Sequence, residues 1–464
     1  MTPKIKRNIK ILMGVFCTMF VMLIVYLGYS VINNGEQWFL TPYNPRLINA
    51  KQTVEVGDIK DRTGEILATT QDGERVYNSD KSVRKAVSHV VGDSSGKTIG
   101  AETFFAKYLY GYDRSVVDKF VDVFQGDDKK GSDISLTIDA ELSEAILQAM
   151  DGRDGAVAVM NYKTGEILAS VSSPNFDPEA LKQNSDEEEG GSQYVNRVTM
   201  GRYPPGSTMK IITAACALEN GVDDFTTTCD GSVTINGAVI RCAGDEKHGK
   251  VNLEKAFEES CNTYFAQLAN ELGASKLTKT AEEFGFNVDF SFDDITLYES
   301  KYNAGNSDSD LAWSAVGQFE DLMTPLHGAM IAGAVANDGV MMEPKMLLDV
   351  SFNDNVGYTM KPTKYRTVLS ESVASQLQSL MEGVVTEGTG SRAAIDGVTV
   401  CGKTGTAEYV EDGEKKEHAW FSGYIDSDEH PYCVCVILEG AGSGSRNAAP
   451  LAKEALSKAM DIIG

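Results

Sequence analysis

The stretch from Tyr203 to Leu218 places the strongest constraint on how this chain can fold. Pro204-Pro205-Gly206 cannot continue a helix, whereas the residues that follow favour one. Apolar side chains lie on nearly every face of that helix: Met209, Ile211, Ile212, Ala214, Ala215 and Leu218. The stretch therefore predicts a central helix that is buried by its neighbours and ends at Asn220-Gly221.

Two polar side chains at the start of this helix suit nucleophilic chemistry. Ser207 should open the helix, and Lys210 lies three residues further on, on the same face and one turn deeper. Burial favours the neutral amine, which is the form that can take a proton from a serine hydroxyl. The alternative interpretation of Ser207 is an ordinary helix cap.

An apolar run at the N-terminus predicts a membrane anchor. The run extends from Ile11 to Ile32 and follows four basic residues: Lys4, Lys6, Arg7 and Lys10. As a helix it spans about 33 Å, which is enough to cross a bilayer, and its basic flank should stay in the cytoplasm. A cleaved signal peptide is the alternative, but no small-x-small cleavage site follows the run before Asn33.

Length and charge limit the remaining choices. A chain of 464 residues exceeds what one hydrophobic core usually serves, and a formal net charge of −25 argues against nucleic acid as a partner. We expect a cytoplasmic tail over 1–10, the transmembrane anchor over 11–32 and an N-terminal pedestal or interaction module over 33–131. The remaining residues, 132–464, should form the larger, catalytic domain.

Cys229 and Cys242 flank a predicted hairpin that turns at Asn236-Gly237, so their side chains should be brought close together. We consider a disulfide between them, with two unpaired thiols as the alternative. Neither a metal site nor a cofactor is expected.

Two further polar clusters lie downstream of the Ser207 helix. Ser260-Cys261-Asn262 falls where two predicted helices meet, which is a rigid place to present polar side chains. Lys403-Thr404-Gly405-Thr406 lies in the first of three consecutive strands, for which an antiparallel meander is the natural arrangement. A final helix, over 448–463, should cover one face of that sheet.

Together the clusters resemble a known active-site signature. Ser207/Lys210, Ser260/Asn262 and Lys403-Thr404-Gly405 occur in this order, with 53 and then 143 residues between their first members. This set resembles the signature of penicillin-binding proteins and serine β-lactamases. The segments 57–68, 155–178, 402–408 and 418–423 also resemble class B penicillin-binding proteins. No segment that could house a glycosyltransferase domain precedes the similarity, which favours the monofunctional class.

The resemblance implies an α+β fold of the penicillin-binding and serine β-lactamase type, in which helices flank an antiparallel sheet. It also implies a peptidoglycan D,D-transpeptidase that is acylated by β-lactams. Ser207 would be the nucleophile, Lys210 its base, Ser260 the proton relay and Asn262 a substrate-binding amide. Lys403 would keep the site positive, and the strand residues Thr404, Gly405 and Thr406 would bind the substrate, with both threonines on its carboxylate. The backbone N–H groups of Ser207 and Thr406 would form the oxyanion hole.

The family also implies partners and leaves alternatives open. Peptidoglycan stem peptides, β-lactams, the cell membrane and a membrane glycosyltransferase are the expected partners, with the catalytic domain outside the cell membrane. A β-lactamase-like hydrolase is one alternative, although no glutamate motif clearly supplies its deacylating base. A catalytically silent scaffold of a wall-synthesis complex is another. Cys261 and Cys401 depart from common family residues and bring two thiols towards the pocket.

Overall fold

A computed structural model describes residues 3–39, 54–112, 130–183, 191–353, 355–411 and 413–464. Parts of the predicted pedestal module, residues 40–53 and 113–129, lie outside this description. Within the described residues, groups of helices and groups of strands follow one another along the chain beyond the N-terminal helix.

The helices of the described part differ widely in length. They are α1 Pro3–Phe39, α2 Lys81–Ala86, α3 Ser88–Val91, α4 Ala101–Phe104, α5 Ala106–Leu109, α6 Ala140–Met150, α7 Pro178–Gln183, α8 Lys210–Glu219, α9 Leu253–Glu258, α10 Asn262–Leu272, α11 Ala274–Phe284, α12 Asp308–Ser314, α13 Pro325–Ala336, α14 Glu371–Thr386 and α15 Gly444–Ile463.

Over the residues that the structure describes, the strands fall into two large sheets and several two-stranded ones. They are β1 Ile59–Lys60, β2 Ile66–Gln71, β3 Glu74–Tyr77, β4 Asp133–Leu136, β5 Gly155–Asn161, β6 Ile167–Ser173, β7 Thr227–Cys229, β8 Ser232–Ile235, β9 Ala238–Arg241, β10 Gly249–Val251, β11 Val340–Met342, β12 Leu347–Phe352, β13 Asn355–Thr359, β14 Lys364–Thr367, β15 Val400–Glu411, β16 Glu414–Ile425 and β17 Tyr432–Leu438.

The central sheet has five antiparallel strands in the order β15-β16-β17-β5-β6. The predicted meander of three C-terminal strands is confirmed, and β15 is an edge strand. Helices α6 and α15 cover one face of the sheet, while α8 and α13 belong to the core on the other face. Because both faces are covered, every residue of β17 is buried. The expected α+β fold with helices on both sides of an antiparallel sheet is confirmed.

A six-stranded sheet joins distant parts of the chain in the order β13-β12-β4-β1-β2-β3. Strand β1 pairs in parallel with β4, and β4 pairs in turn with β12. The predicted boundary between residues 131 and 132 therefore runs through a continuous sheet. Sequence patterns could not indicate this, because the pairing of Ile59 with Ile134 joins residues 75 positions apart and leaves no local signal.

Helix α1 carries the predicted anchor. Its segment Pro3–Ser30 is long and apolar enough to cross a membrane. Large apolar side chains along it are exposed, including Phe20, Ile24 and Tyr29. A long helix with exposed apolar side chains on all faces suits a lipid environment, so the predicted anchor over 11–32 matches this segment.

Candidate active site

Ser207 lies in a tight turn that leads into the buried central helix. Residues Gly206–Met209 form a 3₁₀ turn, and α8 continues from Lys210. The predicted helix start is confirmed, with the first turn wound more tightly than an α-helix. The residues of α8 from Lys210 to Ala217 are all buried, as the apolar pattern indicates.

Three contacts fix the segment before Ser207. Trp420 Nε1 donates to the Pro204 carbonyl oxygen at 3.0 Å. The main chain of Tyr203 pairs with Met323, at N···O distances of 3.1 and 2.8 Å. The Gly206 N–H donates to the Gly317 carbonyl at 2.8 Å. The Ser207 turn is therefore held between strand β16 and the segment 317–323, a role that the sequence did not assign to Gly317.

Replacing Gly317 by alanine is expected to displace the Ser207 turn. Gly317 has a φ of 74°, and a Cβ there would overlap the Gly206 carbonyl oxygen. Gly221→Ala is a matched control, because Gly221 has a φ of 65° but nothing lies within 4 Å of its added Cβ. The control should lose about 1–2 kcal/mol of unfolding free energy from the backbone conformation alone. Gly317→Ala should lose more and should also acylate more slowly with penicillin. Equal effects of the two changes on both measurements would contradict this account.

Lys210 Nζ lies at the centre of the polar cluster. It is 3.0 Å from Ser207 Oγ, 2.7 Å from the Ser260 carbonyl oxygen, 3.1 Å from Ser260 Oγ and 2.6 Å from Asn262 Oδ1. The amide of Asn262 is oriented by its other end, because its Nδ2 donates to the Arg241 carbonyl at 2.8 Å. The structure thus brings the first two predicted clusters together around one nitrogen.

This arrangement suits a neutral amine. A neutral amine has two N–H donors and one lone pair. Its two shortest contacts, the Ser260 carbonyl and Asn262 Oδ1, are both acceptors and can take both N–H groups. The lone pair is then free for a proton from the hydroxyl of Ser207 or Ser260.

Burial lowers the pKa of Lys210 to about 8, with a smaller opposing effect from the thiols of Cys261 and Cys242. The Lys210 side chain is fully buried, and withdrawal from water disfavours its charged form. A pKa of about 8 leaves roughly a tenth of this amine neutral at pH 7, far more than for an exposed lysine.

Ser260 occupies the connection between α9 and α10 in an unusual conformation. Its φ is 56°, in the left-handed region that a non-glycine residue rarely adopts. The Ser260 N–H donates to the Phe257 carbonyl at 3.3 Å, and the Cys261 N–H donates to the Ala256 carbonyl at 2.8 Å. These bonds hold a strained serine in place, and strain of this kind is often found at active sites.

Lys403 lies on β15, fully buried like Lys210. Its Nζ is 5.6 Å from the centre of the Phe257 ring, and Lys210 Nζ is 5.5 Å from the centre of Phe265, the neighbouring ring. Burial, and next the charge of Lys210, holds the pKa of Lys403 well below its usual value. The third predicted cluster therefore lies beside the other two.

The edge strand β15 runs against the Ser207 turn. A Cβ on Gly405 would lie 3.1 Å from the Pro205 carbonyl oxygen, and one on Gly206 would lie 2.6 Å from the Thr406 carbonyl oxygen. Glycine at both positions allows this close approach. The main chains of Ser207 and Thr406 therefore lie side by side.

Two threonine hydroxyls lie along β15. Thr404 Oγ1 is 2.7 Å from Thr389 Oγ1, and Thr406 Oγ1 accepts from the Gly444 N–H at 3.2 Å. Sequence reasoning missed Thr389. The only signal there was its position between Gly388 and Gly390, just after α14.

The considered disulfide between Cys229 and Cys242 is not formed. Their Sγ atoms are 3.6 Å apart, against about 2.05 Å for a bonded pair, and both thiols are free. The hairpin brings the two sulfur atoms together as predicted, but two other side chains share the space between them. These are His248, which follows Cys242 by six residues, and Cys261, at the start of α10.

Comparison with known proteins agrees with this geometry. A family model described as "Penicillin binding protein transpeptidase domain" matches residues 155–457. Over 370 residues, the chain is 31% identical to the peptidoglycan D,D-transpeptidase PbpA of Mycolicibacterium smegmatis, covering 74% of this chain and 75% of that protein. It is also 31% identical over 436 residues to the stage V sporulation protein D of Bacillus subtilis, covering 84% of this chain and 65% of that protein.

Solved structures give the same result. The fold matches penicillin-binding protein A from Mycobacterium tuberculosis in its ceftriaxone acyl-enzyme complex, with a TM-score of 0.80 at 29% identity. The match covers 89% of this chain and 100% of that one.

Proposed function

The chain belongs to the penicillin-binding protein transpeptidase family, and from this premise we propose that it is a peptidoglycan D,D-transpeptidase. It cross-links stem peptides through a serine acyl-enzyme, and β-lactams acylate the same serine. The observation that carries the proposal is the contact of Lys210 Nζ with the hydroxyls of Ser207 and Ser260.

In acylation, Ser207 Oγ attacks the carbonyl carbon of the penultimate D-Ala while its proton passes to Lys210 Nζ. The oxyanion that forms accepts hydrogen bonds from the backbone N–H groups of Ser207 and Thr406, whose main chains lie side by side. When the C–N bond breaks, the leaving amine needs a proton. Ser260 Oγ, 3.1 Å from Lys210 Nζ, relays it from the lysine. The products are terminal D-Ala and an ester on Ser207.

The second half of the reaction, transfer of the acyl group to the acceptor amine, repeats these steps in reverse. An amine from a neighbouring stem peptide attacks the Ser207 ester and loses a proton through Ser260 to Lys210. The bond to Ser207 Oγ then breaks, and the oxygen takes that proton back. The amines of Lys210 and Lys403 are buried, whereas Ser207 and Ser260 are partly exposed, so the reacting hydroxyls face the substrate.

The edge strand offers a site for the donor peptide. An extended peptide can pair with the main chain of β15 beside Gly405, and Asn262 binds its backbone amide. Thr406 Oγ1 accepts one hydrogen bond and still has its O–H to donate, and the Thr404–Thr389 pair has one O–H left over. These donors suit the terminal carboxylate of the substrate.

The rate of D-Ala release should follow the ionisation of Lys210. Because only the neutral amine can accept the Ser207 proton, the rate should rise about tenfold per pH unit below the Lys210 pKa of about 8 and level off above it. The neighbouring ionisable groups are Lys403, Cys261 and Cys242. The measurement is D-Ala release by the full chain in detergent from a donor peptide ending in D-Ala-D-Ala, between about pH 6 and 9.

A matched control is Lys453→Met, which removes an exposed lysine on α15 and should leave this pH profile unchanged. A rate that fell with rising pH would show that the protonated amine is the active form and would contradict the assigned role. Absence of D-Ala release at every pH, with no acylation by penicillin, would overturn the proposed function and favour a silent scaffold.

The membrane arrangement and the partner are part of the same proposal. The family and the apolar segment of α1 support a membrane-anchored protein. We place its basic N-terminal flank in the cytoplasm and residues 132–464 outside, as the transpeptidase domain. The module over 33–131 serves as a pedestal, with a membrane glycosyltransferase as the partner that makes the glycan strands.

A further inference from the structure

Four side chains that could bind a metal meet beside the loop that carries Ser260 and Asn262. They are Cys229, Cys242, His248 and Cys261, and their ligand atoms all lie within 4.8 Å of one another. We propose that they form a structural Zn²⁺ site, where we expected no metal from the sequence. It would fix this loop against the hairpin of β8 and β9.

The distances between the ligand atoms suit a tetrahedral zinc ion. Cys229 Sγ is 3.6 Å from Cys242 Sγ and 3.3 Å from His248 Nδ1, and Cys242 Sγ is 3.8 Å from Cys261 Sγ. With Zn–S bonds of about 2.3 Å, neighbouring sulfur atoms of a tetrahedral site lie about 3.8 Å apart. Three thiolates and one imidazole are a ligand set that favours zinc over Mg²⁺ or Ca²⁺.

The cluster is built from four separate parts of the chain. Cys229 ends β7, Cys242 follows β9, His248 precedes β10, and Cys261 caps the N-terminus of α10. All three thiols are at least 95% buried. Thr263 Oγ1 lies 3.2 Å from Cys261 Sγ and 3.9 Å from Cys242 Sγ, where a hydroxyl can support bound thiolates.

A disulfide explains these positions less well. It would join Cys229 to Cys242 and leave Cys261 and His248 without a role. An apolar thiol cluster does not explain why the half-buried His248 directs Nδ1 towards Cys229 Sγ. A metal ion uses all four groups.

The strands around the site form small sheets. Strands β7 and β10 form one two-stranded sheet, and β8 and β9 form another. The buried core under the second sheet consists of Ile240, Ala266 and Ala312. Isolated two-stranded sheets are marginally stable, and a metal site is a common way to stabilise such a segment.

The site touches the catalytic loop from two sides. Cys261 lies between Ser260 and Asn262, and Cys242 follows Arg241, whose carbonyl accepts from Asn262 Nδ2. Zinc bound here would therefore hold the φ of 56° at Ser260 and the orientation of Asn262. This positioning role rests on the proposed function, whereas the metal site itself does not.

The test begins with the full chain purified in detergent without chelator. We expect one Zn²⁺ per chain by plasma mass spectrometry. Chelation should remove the ion, lower Tm and slow penicillin acylation by about 10-fold to 100-fold, because Ser260 and Asn262 lose their positions. Added Zn²⁺ should restore the metal content, the Tm and the acylation rate, and Mg²⁺ should restore none of them. Co²⁺ in place of zinc should give the visible absorption bands of a tetrahedral thiolate complex.

Two variants make the test specific. His248→Ala changes a partly exposed ligand and should reduce zinc binding without disturbing the core. Cys216→Ser changes a buried thiol outside the cluster and should retain one Zn²⁺ per chain. A chain that binds no zinc even when zinc is supplied, or one that forms a Cys229–Cys242 disulfide in the membrane, would overturn the site. D-Ala release at an unchanged rate by a chain that binds no zinc would count against the site alone. Bound zinc without D-Ala release or penicillin acylation would count against the proposed function alone.

Discussion

Replacing Ser207 by alanine is expected to lower D-Ala release by at least about 10⁴-fold and to abolish covalent labelling by a fluorescent penicillin. The change removes the only atom that forms the ester, while the contacts that hold the turn through Pro204 and Gly206 remain. The measurements are the D-Ala release assay and fluorescence on a denaturing gel.

A serine outside the cluster provides the control. Ser372→Ala alters an exposed serine on α14 and should keep full labelling and D-Ala release. Both variants should unfold cooperatively at temperatures close to that of the unmodified chain. Persistent labelling of a folded Ser207→Ala chain would place the nucleophile elsewhere and contradict the mechanism.

Replacing Lys210 by methionine is expected to slow acylation by about 10²-fold to 10⁴-fold. Methionine approximates the length of the lysine side chain and keeps the apolar contacts of α8, but it cannot accept the Ser207 proton. The pH dependence assigned to Lys210 should disappear with it. The measurement is the rate of penicillin acylation across the pH range, followed by stopped-flow fluorescence.

Lys453→Met again serves as the matched control, since it makes the same chemical change on the surface. A Lys210→Met chain that kept the original acylation rate would show that another group accepts the proton. A chain that kept the pH profile at a reduced rate would show that the ionisation belongs to another residue. Either result would contradict the role of Lys210.

The parts of the site that lie close together in sequence could be predicted from it. The proline-proline-glycine segment before an apolar run located the turn at Ser207, and three strand-like stretches with turn-rich joins located β15, β16 and β17. These signals are local, because helix starts and strand periodicity depend on neighbouring residues. The order of the three clusters then supplied the family.

Contacts between distant segments could not be predicted in the same way. The bond from Asn262 to the Arg241 carbonyl, the Thr389–Thr404 pair and the contact of Gly317 with Gly206 each join residues whose approach only the folded chain determines. The contacts among the cysteines could be predicted only in part for the same reason. The hairpin predicted that Cys229 and Cys242 would meet, but nothing local indicated that His248 and Cys261 would join them.

Peptide mapping of the unmodified chain after reaction with benzylpenicillin shows directly whether Ser207 is the acylated residue. We expect one penicilloyl group per chain, on the peptide that contains Ser207, and slow loss of that group over time. Rapid loss with turnover of the antibiotic would instead indicate a β-lactamase. An adduct on any other residue, or no adduct on a folded chain, would contradict the assignment of Ser207 as the acylated nucleophile.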